Sequence, residues 1–483
     1  MPESTPGELC WGQEHFGTAR LRDKRRTRSL VDLAQRIHGH PGGSLPDKLA
    51  DPKALQRCYD LMNCPAVTHD AVLEPHRQRT LRLARQHPGV LLFVRDNTEL
   101  DLTGKLSLAD DLGPLSSARQ RGYICHNVLV VNPADRSVLG LAQQLLHVRY
   151  SVPEGETQAQ RRQRESRESR LWLQGLTAAP APEGALWVDV ADAASDTFEF
   201  LDFEDLQGCC YLVRCAFDRR IWVGHDGQHP RSARAKGPSL YGHLRTLPGL
   251  ARRPIEVPAR DGRPARTAEV SVAWAAVQVR PPEEASGEHR NEPLKVWAVR
   301  VWEASPPEGA EPVEWFLLTN LETATAEQAW ERVDWYTCRW VVEELHKAMK
   351  SGCDIEAPQF TTAEAMQPML ALLSVVATAL LNVRDLSRRA ETRELPAERY
   401  VDREYVAILS GWRYQEGRPL TVQEFYLALA RLGGHLNRKH DHPPGWLVLW
   451  RGWTKLHLLV EGARAAGHAA RSPSAFRDNP DGS

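Results

Sequence analysis

The sequence predicts an α/β chain in which a sheet-forming middle lies between two helical ends. Three observations carry that expectation. Apolar residues recur at helical spacing through residues 8–85. Two short β-patterned runs, Val90–Val94 (VLLFV) and Ala185–Val190 (ALWVDV), are each closely followed by an aspartate. From Thr362 the chain turns helical again, to about residue 466. At 483 residues it is too long for one ordinary core. The boundaries drawn are a helical segment 1–88, a sheet-containing segment 89–365 with a β-rich insertion at about 224–312, and a helical segment 366–483.

The N-terminal end is basic. Asp23 precedes KRRTRSLVDLAQRI, whose Leu30, Leu33 and Ile37 share one side, and further helices are expected at Pro52–Met62 and Ala71–Gln86. Six cations crowd into Arg20–Arg28 with only Asp23 opposing them, although the whole chain has a formal charge of −1. Any nucleic-acid contact is therefore local, and Arg25, Arg26 and Arg28 are its candidates. A charged, solvated helix face explains the same tract equally well.

After His87-Pro88-Gly89 the strand Val90–Val94 runs out toward Asp96, and carboxylates at the carboxyl ends of buried strands are where α/β sheets place their chemistry. Strands at Tyr123–Val131 and Val138–Val148 suggest an antiparallel meander. Residues 153–170 are highly charged and read as an exposed loop. The strand Ala185–Val190 leads to Asp192, which equally suits a helix N-cap. Further strands are expected at Cys210–Cys215, Phe217–Val223, Ala268–Val279, Lys295–Trp302 and Trp315–Thr319, with the loop PPEEASGEHRNEP between the third and fourth of these. Helices follow at Thr362–Leu386, Glu398–Leu409, Thr421–Leu432 and Leu447–Ala466, and the last dozen residues are expected to be unstructured.

Between sheet and helices lies Tyr336–Lys350 (YTCRWVVEELHKAMK). On one helix, Tyr336, Arg339, Glu343, Lys347 and Lys350 fall within an arc of roughly 80°. Opposite them gather Val341, Val342, Leu345, Ala348 and Met349. The bland reading of the polar face is solvated i,i+4 pairs.

Nine cysteines with no CxxC pair point to reduced thiols in a cytosol, and the N-terminus lacks the pattern of a secretory signal. The apolar run Met369–Leu381 is too short for a bilayer and reads as a buried helix, so no membrane partner is expected.

Tyr336-x2-Arg339-x3-Glu343-x6-Lys350 fills the YREK pattern of insertion-sequence DDE transposases, and the chain resembles the Tn-five type of that group. Matching pieces follow in one order: LRDKRRTRSLVDLA, RDNTELD around Asp96, RGYICHNVLVV, VADAASDTFEFL around Asp192, DGRPAR, WFLLTN at Trp315 and LGGHLNRK. The resemblance implies an RNase H-like (retroviral integrase) catalytic core with Asp96, Asp192 and Glu343 as ligands of two Mg²⁺ ions, for which Mn²⁺ can substitute. It assigns Tyr336, Arg339, Lys347 and Lys350 to DNA, Trp315 to a flipped base, and Arg25 and Arg26 to the transposon end. The implied protein is a bacterial, cytoplasmic cut-and-paste transposase. As a homodimer it would bind inverted-repeat ends of double-stranded DNA, cleave there, and transfer the 3′-hydroxyl to target DNA. Ala193-Ala194 stands where the family often has Arg-Glu, and Tyr59-Asp60-Leu61 where it has Tyr-Arg-Phe. Two other readings remain: a metal-dependent nuclease without strand transfer, and a host-retained DNA-binding protein whose catalysis has decayed.

Overall fold

A computed structural model describes residues 10–471 except 118, 151, 153, 158–159, 161–163, 165, 176–180, 226–236, 258–265, 283–288, 389 and 439–443. DGRPAR up to its last residue, parts of 153–170 and of the loop PPEEASGEHRNEP, the end of LGGHLNRK and the last dozen residues lie outside the described residues. The chain divides into two compact units, residues 76–343 and the pair 1–75 with 344–483.

Residues 76–343 form a mixed sheet of eleven described strands with helices against it. The strands are β1 (Val90–Asp101), β2 (Gly113–Pro114), β3 (Arg121–Val131), β4 (Val138–His147), β5 (Leu186–Ala191), β6 (Cys210–Arg214), β7 (Ile221–Val223), β8 (Ala251–Val257), β9 (Arg266–Val279), β10 (Leu294–Glu303) and β11 (Glu314–Thr319). The expected meander is present, with β1 antiparallel to β3 and β3 to β4. On its other side β1 runs parallel to β5, and β5 to β6.

Two features go beyond the sequence reading. The β-rich insertion continues the same sheet, because β10 pairs with β11 from Trp297↔Thr319 to Trp302↔Glu314 and β9 pairs with β10. Each strand thereby satisfies backbone groups that a free edge would leave unpaired. β1 also extends seven residues past Val94, since β3 keeps pairing with it from Asp96↔Asn127 to Asp101↔Gly122 after β5 has ended. That approach is close enough that a Cβ on Gly122 would lie 1.8 Å from the Leu100 carbonyl oxygen.

Strand alternation sorts the sheet's two faces. Leu91, Phe93 and Trp187 pack with Leu81 and Ala84 of the helix His69–Gln86, while Phe198, Phe200, Tyr211, Val277 and Phe316 build a second cluster. Each such side chain, fully buried, contributes about 1.5–3 kcal/mol.

The other unit is helical and draws on both ends of the chain. Helix Lys24–Gly39 starts at Asp23, whose carboxylate accepts from the Arg25 N–H at 2.8 Å, and buries Leu30, Leu33, Ala34 and Ile37. Helix Pro52–Met62 has the expected bounds, with Pro52 in its first turn and Asp51 as its cap. Both pack on Ala363–Arg388. Residues Ala363–Leu381 of that helix are long and apolar enough to cross a membrane, yet 83% of the apolar window is buried inside the protein. Ser374 and Thr378 donate to the Leu370 and Val375 carbonyls at 2.8 and 2.7 Å, so no hydroxyl is stranded there. Helices Arg403–Tyr414, Val422–Leu432 and Trp446–Arg471 also belong to the unit. The first of these begins five residues later than expected. Ala397–Arg399 forms a separate short turn, and the helix starts only at its cap Asp402, whose carboxylate accepts from the Glu404 N–H at 2.9 Å.

Candidate active site

The parallel pairing of β1 with β5 ends at Arg95↔Ala191, so Asp96 and Asp192 are the next residues on neighbouring strands. Strands in a sheet lie about 4.8 Å apart, and alternation turns Arg95 and Asp96 to opposite faces. Asp96 is thus inside β1 rather than beyond its end, but it stands where β5 stops shielding the strand.

Arg339 joins the third acid to this point. Its Nη1 donates to Asp96 Oδ2 at 2.8 Å and its Nη2 to Glu343 Oε1 at 2.7 Å, which brings together residues 243 positions apart. The other Asp96 oxygen accepts from the Asn97 N–H at 2.8 Å. Asp192 does serve as a cap, accepting from the Ala194 N–H at 2.9 Å, while its charge still reaches Asp96. Burial pushes the Asp96 carboxyl up to about 7; Arg339 and the Asn97 N–H pull it down, and Asp192 and Glu343 add repulsion. An ion pair alone would hold it low, so desolvation and crowding of like charge prevail here. Burial works against the Arg339 charge, yet Tyr336, Asp96 and Glu343 hold its pKa above the ordinary value.

The local backbone explains how Arg339 is aimed. The single helix expected over Tyr336–Lys350 is broken into Ala326–Thr337 and Trp340–Lys347. The Asp334 carbonyl, which the Cys338 N–H would use in a regular ladder, accepts instead from Thr337 Oγ1 at 2.7 Å and Cys338 Sγ at 3.5 Å. The Cys338 and Arg339 N–H groups bond three residues back, to Trp335 and Tyr336, both at 3.0 Å. The chain then closes with a π turn, Ala348–Gly352.

The expected common polar face is accordingly divided. Tyr336 is buried, and the Arg339 side chain is only 13% exposed against 41% for Glu343, so neither Tyr336 nor Arg339 belongs to a solvated surface. Lys347 is exposed and Lys350 half-buried, both in the unit formed by the chain ends. Trp315 is buried, with its ring edge-on to Tyr336 and to Trp340 at 5.7 Å each.

Sequence reasoning missed the groups around these acids. Arg95 is fully buried on the opposite face; it bonds Asp189 at 2.6–2.7 Å and the Trp172 carbonyl at 2.8 Å, with Glu204 at 3.6 Å. Its place beside Asp96 in a strand was the available signal, since period two sends the pair in opposite directions. Arg214 lies close enough to Tyr336 to affect its hydroxyl, and nothing in the local pattern marks it.

In the helical unit, Arg25 is 87% exposed and paired at 3.0 Å with its own cap, Asp23, while Arg26 donates to the Leu21 carbonyl at 3.1 Å. These residues lie in a segment with known counterparts. Residues 9–67 match the family model described as transposase DNA-binding. The match supports a DNA-binding transposase, and it covers Arg25, Arg26 and Tyr59-Asp60-Leu61. In the matched segment Asp60 accepts from Gln56 at 2.8 Å, and Tyr59 packs edge-on to Phe360, outside it, at 5.3 Å.

Proposed function

We infer that the chain is a cut-and-paste DNA transposase of the DDE type, acting as a homodimer on inverted-repeat ends and inserting the freed 3′-hydroxyl end into target DNA. The observation that supports this most is the meeting of Asp96 and Glu343 on Arg339, with Asp192 beside them, in a chain whose N-terminal segment matches transposase DNA-binding. The sheet is consistent with an RNase H-like core: the meander β1-β3-β4, two parallel strands beyond it, and the first carboxylate on the central strand.

Three carboxylates supply the hard oxygen donors that Mg²⁺ requires. What supports a cation here is that Arg339 already sits between two of them and that Asp192 and Glu343 add repulsion at the half-buried Asp96 carboxyl. Asp96, Asp192 and Glu343 would hold two Mg²⁺, with Mn²⁺ able to substitute. The chemistry such ions supply is stabilisation of the attacking and leaving oxygens of an in-line displacement at phosphorus. Arg339, once relieved of neutralising Asp96 and Glu343, has a planar guanidinium for a phosphate oxygen near the cleaved end. Lys347, Lys350, Arg25 and Arg26 supply further positive charge for the DNA backbone, whereas Trp315, buried against Tyr336 and Trp340, would have to be uncovered to stack on a displaced base.

The test is an in vitro reaction with the terminal repeats, Mg²⁺ and a target plasmid. Asp96→Asn, Asp192→Asn and Glu343→Gln should each lower cleavage by about a thousandfold or more, some 4 kcal/mol of barrier, while binding to the ends persists. Cleavage without joined product would establish a nuclease instead. Activity surviving all three substitutions would overturn the assignment of the site.

A further inference from the structure

A second group of potential ligands lies in the helical unit and shares no residue with the three carboxylates. His40 caps the C-terminal end of helix Lys24–Gly39, and His457 and Glu461 stand one turn apart on Trp446–Arg471. One ligand atom from each lies within 4.8 Å of the other two. The His40 and His457 rings meet at 3.6 Å between centroids and 78°, and His457 Nε2 is 4.0 Å from Glu461 Oε1.

What singles this cluster out is an orphan. His457 is 8% exposed, and its Nε2 is buried with no hydrogen-bond partner among the described residues. The other ring nitrogen, Nδ1, is engaged by the Tyr405 hydroxyl. Buried polar atoms are rarely left unmatched, since doing so costs the group its hydration. A metal-bound imidazole shows the same division of labour: one nitrogen takes the ion and the other is fixed by a neighbouring oxygen.

We propose that His40, His457 and Glu461 form a zinc-class metal site that ties the end of helix Lys24–Gly39 to helix Trp446–Arg471. Two imidazoles and one carboxylate are a borderline-soft donor set suited to Zn²⁺ and poorly suited to Mg²⁺, which favours oxygen. Glu461 is half-exposed on the solvent side, where water completes a tetrahedron. Arg464 competes for Glu461, with Nη1 at 3.0 Å from Oε1, but it also holds Glu404 at 2.6 Å and so retains a partner when Glu461 turns to the ion. Zn–N bonds of about 2.0–2.1 Å require the ligand atoms to close by less than the length of a C–C bond, within reach of side-chain rotation. The role is structural, because the ion joins two helices of one compact unit.

The test uses the full chain, stripped with chelator and titrated with Zn²⁺ against a chromogenic competitor, with Co²⁺ as a spectroscopic substitute. The native protein should take up one tight equivalent per chain, show the visible absorption of tetrahedral Co²⁺, and melt roughly 5 °C higher with Zn²⁺. Glu461→Gln and His457→Ala should each weaken that equivalent by tenfold or more and abolish the thermal shift. Glu461→Gln changes a half-exposed group, so it gives a folded protein for the comparison if His457→Ala does not. Asp96→Asn serves as a control whose tight equivalent persists. No tight equivalent in the native chain, or one that survives Glu461→Gln unchanged, overturns the proposal; the latter result places the ion on thiols or on other carboxylates.

Discussion

On one face of β1 and β5, Arg95 holds Asp189 and Glu204; on the other, Arg339 holds Asp96 and Glu343. The two clusters share strands and chemistry but differ in access. The Arg95 and Glu204 side chains are fully buried, and the Trp172 carbonyl takes another of the guanidinium's donors. Distances alone would admit a metal at Asp189, Glu204 and Cys209. Arg95 already supplies the positive charge there, while burial raises the Asp189 and Glu204 carboxyls above their ordinary range. Around Arg339, by contrast, the Glu343 side chain is 41% exposed, so solvent reaches that acid. Access, more than the count of carboxylates, separates the two clusters.

The largest effect should come from the closed cluster. Arg95→Met strands two buried acids, and losing one partner of a buried ion pair costs about 3–5 kcal/mol, readable by urea unfolding. A loss below about 1 kcal/mol would show that Asp189 and Glu204 accommodate by sharing a proton, and the contrast with the open cluster would fade.

The open cluster predicts a pH effect. In metal-free buffer, folded Asp96 keeps its proton up to about 7, whereas an ordinary aspartate loses it near 3.8. Between these values the folded state binds the extra proton, so stability is highest below the lower value and falls as pH rises through the upper one. Asp96→Asn removes that fall. The variant should exceed the native protein at about pH 8 by on the order of 1–4 kcal/mol, and the gap should close toward about pH 4. A gap independent of pH would refute this account.

Arg339→Ala probes the same site from its cation. The side chain is too buried for the few tenths expected of a solvated pair, so the loss should be about 1–2 kcal/mol in chelator and smaller in Mg²⁺. An unchanged melting temperature in both conditions would return Arg339 to the role of a surface residue.

The smallest effect belongs to arginines whose partners lie within five residues. Arg25→Ala with Arg26→Ala should leave stability nearly unchanged and lower the salt dependence of end binding by up to ~0.9 in log–log slope for each phosphate that is no longer neutralised. An unaltered slope would make that tract a solvated face.

Local periodicity made much of the fold legible. The bounds of Pro52–Met62 follow from a proline in the first turn and apolar spacing, and Val422–Leu432 from a Thr421/Glu424 capping box. What escaped depends on partners and side-chain bonds that periodicity does not register. The polar tail of β1 is a strand because β3 lies along it, and helix Ala326–Thr337 stops because two ordinary side chains take one carbonyl. At the site, spacing exposed the Arg339–Glu343 pair, and the family resemblance supplied Asp96 and Asp192 as its companions. No local pattern disclosed that Arg339 also grips Asp96, since that bond exists only after the sheet has formed.

The helical unit is assembled from segments on either side of the middle unit in the chain: the Gly43 N–H bonds Asp354 at 2.7 Å, and Tyr59 packs on Phe360. Synthesis proceeds from one end, at about 5–20 residues per second. The first helices therefore leave the ribosome tens of seconds before the segment that completes their core, with all of residues 76–343 made in between. During that interval the N-terminal helices can pack on one another, but the sides that meet Ala363–Arg388 have no native cover, so the middle unit is free to fold before that core closes.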